Sequence, residues 1–376
     1  MTAHWVLLLD SIHYRGGSKV ASEHALRLVL EQGGRVAVLS ADPTSWQLPG
    51  IVHLRLREPA WLVPQEQGLR YFLRHGLICL QVLLARWRLG PLLLLGASGP
   101  GSDLALYLAK WLCGWPLVQW IHGPVARSRT LGRALAQADQ LFYLASSAPS
   151  LLGALSAAYG PQRAAAQLRC EHWQSIGNGL PGALWPSPCQ QAERPARLFW
   201  AASLLKWKGL NVLQEALRGL PVALPADICY LRPQGTRQAV CTIDAQLPGV
   251  HWHEAPEDLD RLRAGCNIFV SSSRNEPFGL SILEAMAAGH ALVLPADGSY
   301  WDQQLVDGQD CLKYQAQDSA DLRQQLQRLM SDADLRSSLG AAAQRQAQDY
   351  RAERVYAPLV CVLLQGQKSA QAALEH

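Results

Sequence analysis

The chain has 376 residues, of which 49% are apolar and 17% are charged, and its formal net charge is only +4. This length and composition predict a globular protein with two domains of ordinary size. The nine cysteines are scattered without metal-type spacing, which argues against a disulfide framework or a zinc site and predicts reduced thiols in a cytosolic setting.

The charge is unevenly distributed along the chain. Residues 1–185 carry 16 basic and 9 acidic side chains, whereas residues 186–376 carry 18 and 21. A basic first half predicts contact with an anionic partner, but no nucleic-acid motif accompanies it, so nucleic acid is not an expected partner. The longest apolar region, residues 77–95, contains Arg86 and Arg88 and falls short of the ~20 uncharged residues of a membrane span. We therefore expect a soluble or peripheral protein.

The first half alternates short apolar runs with helical patterns, which predicts a doubly wound parallel sheet. The predicted strands are residues 4–9, 35–39, 92–95, 116–121 and 140–145. The first strand is followed by a turn containing Gly16 and Gly17 and then by a helix. Two glycines at a strand-to-helix turn allow a phosphate or a sugar to lie against bare backbone. A plain turn between strand and helix is the alternative.

Residues 61–88 combine aromatic side chains with Arg70, Arg74, Arg86 and Arg88. Aromatic residues beside arginines on a helix are typical of a surface that contacts anionic lipid headgroups. We predict peripheral membrane contact through these arginines. The alternative is a core helix whose arginines are solvated.

His122 follows the predicted strand 116–121 and precedes Gly123-Pro124. A residue at the carboxyl end of a parallel strand faces the ligand-binding crevice of such a sheet, so His122 is a candidate site residue. Arg127 and Arg129, together with Arg133, are placed on the next helix, where they would attract a phosphate-bearing acceptor or be solvated.

The segment 267–295 carries the strongest pattern in the chain. Residues 267–270 predict a buried strand, residues 277–289 a helix that begins at Pro277, and residues 290–294 a second strand. Ligands of such strand–helix–strand units gather where strand ends meet helix N-termini. The backbone N–H groups of Phe278, Gly279 and Leu280 are expected to lie free at the helix start, where they favour an anion such as a diphosphate.

Two carboxylates flank this helix start. Glu276 precedes the helix and Glu284 lies two turns inside it. A carboxylate can accept from two adjacent hydroxyl groups, so a nucleotide sugar lying across this end would present sugar hydroxyls to Glu276 and ribose hydroxyls to Glu284. Alternatively, Glu276 complements the helix dipole and Glu284 is an ordinary surface residue.

The Glu276–Glu284 spacing and the sequence Glu-Pro-Phe-Gly resemble the signature of retaining glycosyltransferases of family 4, the glycosyl transferases group 1. The resemblance implies two Rossmann-like α/β domains facing across a cleft, the GT-B fold. It places an acceptor domain at residues 1–180, a linker at 181–195, a donor domain at 196–349 and a terminal helix at 350–376 that returns to the first domain.

The same resemblance assigns roles to further residues. Lys208, followed by Gly209, matches the family's diphosphate-binding pair, whereas Ser203 stands where an arginine is usual and brings no charge. Lys206 is a candidate replacement for that charge. Gly16 and Gly17 match the family's first glycine loop, and His122 matches a histidine near the transferred sugar. Glu276, His122 and Lys208 are thus the expected catalytic residues.

The implied activity is transfer of a sugar from a UDP-, GDP- or ADP-sugar to a carbohydrate or lipid-linked acceptor, with the anomeric configuration kept. We expect no metal cofactor, a role in surface polysaccharide, lipopolysaccharide or glycolipid synthesis, and a cytoplasmic location at or near the inner face of the cell membrane. Two alternatives stay open: a non-catalytic nucleotide-sugar binder, for which Ser203 is the one hint, and a sugar-nucleotide epimerase or phosphorylase of the same architecture.

Overall fold

The computed structural model describes residues 4–12, 15–63, 68–189, 195–233 and 238–372, with side chains to residue 365. The chain forms two compact units. Unit 1 comprises Met1–Gly179 and Ala352–His376, and unit 2 comprises Leu180–Arg351. Each unit is a parallel sheet with helices on its faces, so the predicted α/β class is confirmed.

The described residues of unit 1 form a seven-stranded parallel sheet with the order β3-β2-β1-β4-β5-β6-β7. Its strands are β1 Trp5–Asp10, β2 Arg35–Ser40, β3 Val52–Arg55, β4 Leu92–Gly96, β5 Leu117–Ile121, β6 Gln140–Tyr143 and β7 Trp173–Ser175. Its helices are α1 Gly17–Glu31, α2 Gly68–Leu89, α3 Leu104–Cys113, α4 Arg129–Leu135, α5 Ala148–Tyr159 and α6 Pro161–Leu168. The central strands are buried except for Trp5 at the start of β1, as near-continuous apolar runs of a parallel sheet require.

The five strands predicted in this half are all present, with ends shifted by one or two residues. β3 and β7, the two edge strands of the sheet, were not predicted from the sequence. β3 has only four residues, which alternate between half-buried and exposed, and β7 has three. Edge strands this short carry little apolar pattern, so their existence depends on the neighbouring strand.

Unit 2 contains a six-stranded parallel sheet with the order β10-β9-β8-β11-β12-β13. Its strands are β8 Leu198–Ser203, β9 Ala226–Leu231, β10 Val250–Glu254, β11 Ile268–Val270, β12 Ala291–Ala296 and β13 Leu312–Gln315. Its helices are α7 Leu210–Arg218, α8 Leu259–Ala264, α9 Leu280–Ala288, α10 Tyr300–Gln304, α11 Ser319–Ser331 and α12 Ala333–Ala347.

The chain returns to unit 1 after Arg351. Two helices follow, α13 Ala352–Val355 and α14 Ala357–Ala372, and α14 packs beside α1. Tyr356 between them is fully buried, and its hydroxyl lies 2.9 Å from the backbone nitrogen of Gly179, the last residue of the first segment of unit 1. The segment predicted as a linker, residues 181–195, lies in unit 2, and Cys189 there donates its backbone N–H to Ala288 at 2.8 Å.

The predicted strand–helix–strand unit is present as β11, α9 and β12, but the prediction that its helix begins at Pro277 is wrong. The helix begins at Leu280, because Gly279 adopts a left-handed conformation with φ +82° and interrupts the helical path. Gly289, also left-handed, ends the helix as predicted. Of the face predicted to be buried, Leu283, Met286 and Ala287 are buried and Leu280 is half-buried.

Candidate functional site

The strand order of unit 2 reverses direction between β8 and β11. Ligands of open α/β sheets bind outside the carboxyl ends of the strands at such a point. The loops that follow these two strands, residues 204–209 and 271–279, therefore define the candidate site of unit 2.

These two loops are bound to each other by hydrogen bonds. The Ser272 hydroxyl donates to the carbonyl of Lys208 at 3.0 Å and accepts from the indole of Trp200 at 3.0 Å. The backbone N–H of Arg274 donates to the carbonyl of Trp207 at 2.7 Å. The first loop is thereby fixed against the second, and its side chains are positioned by buried contacts.

Gly209 makes this contact between the loops sterically possible. It has φ +71°, and a Cβ atom there would lie 1.9 Å from the carbonyl oxygen of Ser272. Any side chain at this position would push the two loops apart.

We expect Gly209→Ala to lower the free energy of unfolding by about 3–5 kcal/mol, since it combines a backbone clash with a left-handed conformation. Gly308→Ala is the matched control: its φ is +73°, but a Cβ there meets no atom within 4 Å, so only the conformational cost of about 1–2 kcal/mol applies. Urea unfolding measures both. Equal losses for the two variants would show that the loops do not press on Gly209.

Lys208 and Glu276 meet across the two loops. The Lys208 ammonium lies 2.6 Å from Glu276 Oε2 and 4.1 Å from the ring centroid of Trp207. The two charged side chains are 17% and 11% exposed. A cation and a carboxylate are thus held together in a mostly desolvated position at the switch point, where electrostatic interactions are stronger than in water.

The start of α9 lies directly after Glu276. Among the described residues, no backbone acceptor takes the N–H groups of Phe278, Gly279 or Leu280. Orphan donors at a helix start favour an anion, although α9 begins one turn later than predicted. A Cβ on Gly279 would meet Ile282 at 2.8 Å and Glu276 at 3.0 Å, so the loop is close-packed here.

A cluster of aromatic side chains packs against the loop 271–279. Phe278 packs on Tyr300 and Trp301 with ring centroids 4.8 and 5.2 Å apart, and the Trp301 indole donates to the carbonyl of Gly279 at 3.3 Å. On the other side, Asp297 accepts from the backbone N–H of Asn275 at 2.6 Å. Hydrogen bonds at Asn275 and at Gly279 therefore fix the loop on either side of Glu276 in the sequence.

Glu284 is bound inside unit 2 by an ion pair. Arg263 Nη2 lies 2.5 Å from Glu284 Oε2, and Arg263 Nη1 lies 2.9 Å from Asp260. Burial raises the pKa of Glu284 above its ordinary value, and the adjacent Arg263 guanidinium opposes the rise. The alternative interpretation of Glu284 as an ordinary solvated residue is wrong, since its side chain is 24% exposed and paired with an arginine that is 6% exposed.

Ser203, the last residue of β8, is half-buried and carries no charge. Lys206, the candidate replacement, is exposed and forms no ion pair with the residues that the structure describes. Of the two lysines, Lys208 is therefore the one that an ion pair holds in place.

The switch point of unit 1 lies between β1 and β4, beside the start of α1 at Gly17. A Cβ at Gly17 would meet no atom within 4 Å, so backbone is open there as predicted. Gly16 has φ −109°, and its conformation does not require glycine. Lys19, in the first turn of α1, is buried and paired with Asp10 at 2.9 Å. Part of the predicted turn, residues 13 and 14, lies outside the described residues.

His122 follows β5 in unit 1, with its ring centroid 4.1 Å from that of Trp120. Both ring nitrogens are buried, and neither has a hydrogen-bond partner among the described residues. Burial lowers the pKa of His122 to about 3, so the ring is neutral near pH 7 and has one donor and one acceptor to offer.

The predicted arginines divide into free and bound side chains. Arg70, Arg88, Arg127 and Arg129 are exposed and form no ion pair within the described chain, and Arg86 is half-buried. Arg74 is different, because its guanidinium is held by Glu58 at 2.5 Å, with side chains 11% and 4% exposed. Its predicted contact with anionic lipid is therefore not supported. Arg127 lies before α4 and not on it, unlike Arg129 and Arg133.

No role was predicted for four residues that hold the site together: Trp207, Ser272, Trp301 and Arg263. They come from separate segments, and no spacing rule relates them. Asp258 and Asp332 accept backbone N–H bonds at the starts of α8 and α12. In the described part of the chain, no group of three or more His, Cys, Asp or Glu side chains is arranged to hold a metal ion.

A family model described as glycosyl transferases group 1 matches residues 189–346, which lie within unit 2. A curated relative, the N,N'-diacetylbacillosaminyl-diphospho-undecaprenol alpha-1,3-N-acetylgalactosaminyltransferase of Campylobacter jejuni, is 33% identical over 101 residues, 27% of each chain. Glycogen synthase of Mycobacterium tuberculosis is 29% identical over 183 residues, 47% of this chain and 42% of that protein. The match thus spans less than half of either relative.

Among solved structures, Anabaena HepE in complex with UDP-glucose superposes with a TM-score of 0.69. The alignment covers 98% of this chain and 99% of HepE at 18% identity. A similarity at this level of identity shows the shared fold, two Rossmann-like units of the GT-B type.

Proposed function

We propose that this chain, whose residues 189–346 match the glycosyl transferases group 1 family model, transfers a sugar from a nucleoside-diphosphate sugar to an acceptor hydroxyl and keeps the anomeric configuration. The observation that carries the proposal is the Lys208–Glu276 ion pair at 2.6 Å, held beside the free N–H groups at the start of α9. Positive charge and a carboxylate stand together where an α/β sheet binds its ligands.

In this proposal, the donor diphosphate lies against the N–H groups of Phe278, Gly279 and Leu280, and Lys208 turns to it from Glu276. The bond between the anomeric carbon and the diphosphate oxygen breaks, and the acceptor oxygen bonds to the same face of the sugar. The diphosphate takes the acceptor proton. Lys208 and the helix start stabilise the charge that grows on the leaving group, so no metal ion is required.

Glu276 and His122 contact the sugar in this proposal. The Glu276 carboxylate accepts from hydroxyl groups and stabilises positive charge on the ring in an oxocarbenium-like transition state. Neutral His122 offers a hydrogen bond from either unpartnered nitrogen. Gly16 and Gly17 offer backbone N–H groups of unit 1 to the donor, and Arg127 and Arg129 meet a phosphate-bearing acceptor.

The pathway and location are also part of the proposal. One curated relative is named as acting on an undecaprenol diphosphate carrier, which supports a lipid-linked acceptor in the synthesis of surface polysaccharide, lipopolysaccharide or glycolipid at the inner face of the cell membrane. No helix in the described residues is long and apolar enough to cross a membrane. The membrane contact that we propose is peripheral.

A thermal-shift screen of UDP-, GDP- and ADP-sugars tests donor binding, since a ligand that binds only the folded state raises the melting temperature. UDP-glucose is the first candidate, because HepE is crystallised with it. The stabilising donor is then incubated with a carbohydrate acceptor. A transfer product with retained configuration supports the proposal, whereas binding without any product under all acceptors would favour the non-catalytic binder that Ser203 suggested.

We expect Glu284→Ala to weaken donor binding by about 10-fold with little change in kcat, the scale of one charged hydrogen bond. The reason is that Glu284 would accept from the ribose, away from the reacting carbon. Isothermal titration with the donor and steady-state kinetics separate the two effects. A drop in kcat with unchanged affinity would contradict this role.

The variant Arg263→Ala tests the role of the Glu284 carboxylate through the pH dependence of donor binding. Because the guanidinium lowers the raised pKa of Glu284, Arg263→Ala should raise that pKa further. The carboxylate then becomes protonated at a higher pH, so donor affinity falls earlier as the pH is lowered. An unshifted pH profile in a folded Arg263→Ala protein would rule out a charged Glu284 in donor binding.

A further inference from the structure

Helix α2 carries a continuous row of exposed large apolar side chains. The members, with their exposed fractions, are Leu69 85%, Phe72 49%, Leu73 49%, Leu77 36%, Leu80 53%, Leu84 52% and Trp87 86%. They recur every three or four residues, so they form one stripe along the helix. The stripe is about 27 Å long at 1.5 Å per residue.

The opposite face of α2 is the one that packs into the unit. Ile78, Cys79, Val82 and Ala85 are buried in the core, and Tyr71 donates to the carbonyl of Gly101 at 2.7 Å. The exposed row is therefore a second apolar face, which the described residues leave uncovered. Since a large apolar side chain has on the order of 150 Å² of surface, the row leaves several hundred Å² in water, as much as the largest patches of soluble monomers.

Two further exposed tryptophans lie on the neighbouring segments, Trp61 before α2 at 56% and Trp111 on the adjacent α3 at 75%. Arg70 and Arg88, near the two ends of α2, are exposed and form no ion pair with the described residues. The sequence of α2 contains no Asp or Glu. Glu58, which among the described acidic residues is nearest to α2 in the sequence, is ion-paired with Arg74. An apolar stripe with tryptophans and unpaired arginines fits an interface between apolar chains and anionic headgroups.

We propose that α2 lies flat on an anionic bilayer, with its row of leucines and aromatic side chains inserted and with Arg70 and Arg88 on the headgroups. This inference rests on the proposed function and extends it, because it identifies the membrane surface at which the chain would bind a lipid-linked acceptor. The proposed contact differs from the one predicted from the sequence, which used four arginines. The apolar row supplies most of the contact area, and Arg74 takes no part.

The charges disfavour a second copy of the chain as the occupant. Two α2 helices packed about a twofold axis would bring Arg70 of each copy near Arg86 and Arg88 of the other, since such an interface pairs the same surface with itself. That arrangement places like charges opposite each other without any acidic residue on α2 to separate them. An anionic lipid surface complements the same arginines.

Vesicle flotation of the full chain tests the proposal without any activity measurement. The probes are vesicles of phosphatidylcholine alone and of phosphatidylcholine with phosphatidylglycerol. We expect the chain to float with the anionic vesicles and much less with the neutral ones, and the binding to weaken as salt is raised. If the chain floats with neither kind of vesicle, the proposal is overturned.

The variant Leu80→Glu/Leu84→Glu tests the row itself and should lose at least 10-fold in vesicle binding. Its control is Val222→Glu/Val306→Glu in unit 2, where the side chains are 67% and 49% exposed, and this control should bind as the unchanged chain does. Arg70→Glu/Arg88→Glu should abolish the preference for anionic lipid. Sedimentation velocity is run on the same proteins.

Two outcomes contradict the assignment. Vesicle binding of the Leu80→Glu/Leu84→Glu protein equal to that of the unchanged chain would remove the row from the contact. A dimer that this variant dissociates, in a chain that binds no vesicles, would make a second copy the occupant. Vesicle binding needs neither donor nor acceptor. A negative flotation result would therefore not contradict the proposed transfer reaction, and a negative transfer assay would not contradict the proposed membrane surface.

Discussion

Replacing Lys208 by alanine is expected to lower kcat by about 10²–10³-fold, the range for loss of one preorganised electrostatic contact. Lys208 is the cation fixed at the switch point of unit 2, 17% exposed and supported by Trp207. Its charge would act on the diphosphate as the bond to the sugar breaks. Steady-state transfer with the donor found by thermal shift measures the effect.

The matched control for this variant is Lys110→Ala. Lys110 also forms an ion pair at 2.6 Å, with Asp139, but on the surface of unit 1. We expect its loss to change kcat by less than about threefold, because exposed ion pairs contribute little. If Lys208→Ala retained the activity of the control, Lys208 would have no part in the transfer step.

The second large effect is expected at Glu276. Glu276→Ala should lower kcat by about 10²-fold or more, because the carboxylate is lost from the sugar and Lys208 loses the partner that holds it in place. Glu276→Gln, which keeps hydrogen bonding but removes the charge, should retain more activity. Full turnover by Glu276→Ala would refute the assignment of Glu276.

The double variant Lys208→Ala/Glu276→Ala shows whether the two residues act as a unit. Side chains in contact are not additive, so the double variant should lose clearly less than the product of the two single losses. Glu257→Ala, at an exposed acidic residue of unit 2, is the control and should leave kcat unchanged. A fully multiplicative loss would mean that the ion pair at 2.6 Å does not couple the two residues in the reaction.

Much of the fold could be predicted from the sequence because parallel strands are buried on both faces. The predicted run 92–95 is apolar throughout, and the predicted run 116–121 is apolar except for Gln119. The structure places them as the central strands β4 and β5. The short edge strands β3 and β7 lack that pattern and were missed. The start of α9 was misplaced because Pro277 suits a first helical turn, whereas the left-handed Gly279 sets the boundary three residues later.

The candidate site could be predicted only as separate pieces. Glu276 was named from its place before the helix and Lys208 from the family resemblance, but 68 residues separate them in the sequence. Their ion pair depends on the contact between Gly209 and Ser272. Arg74 was predicted as free because its partner Glu58 belongs to another segment. The exposure of the α2 row likewise follows from which face the fold covers, which the spacing of leucines cannot decide.

A crystal structure of the chain with its stabilising nucleotide sugar tests the central claim most directly. We predict that the diphosphate lies at the start of α9, within hydrogen-bond distance of the N–H groups of Phe278, Gly279 and Leu280 and of the Lys208 ammonium, which has left Glu276. A diphosphate bound at any other place, such as the start of α1 in unit 1, would contradict the account.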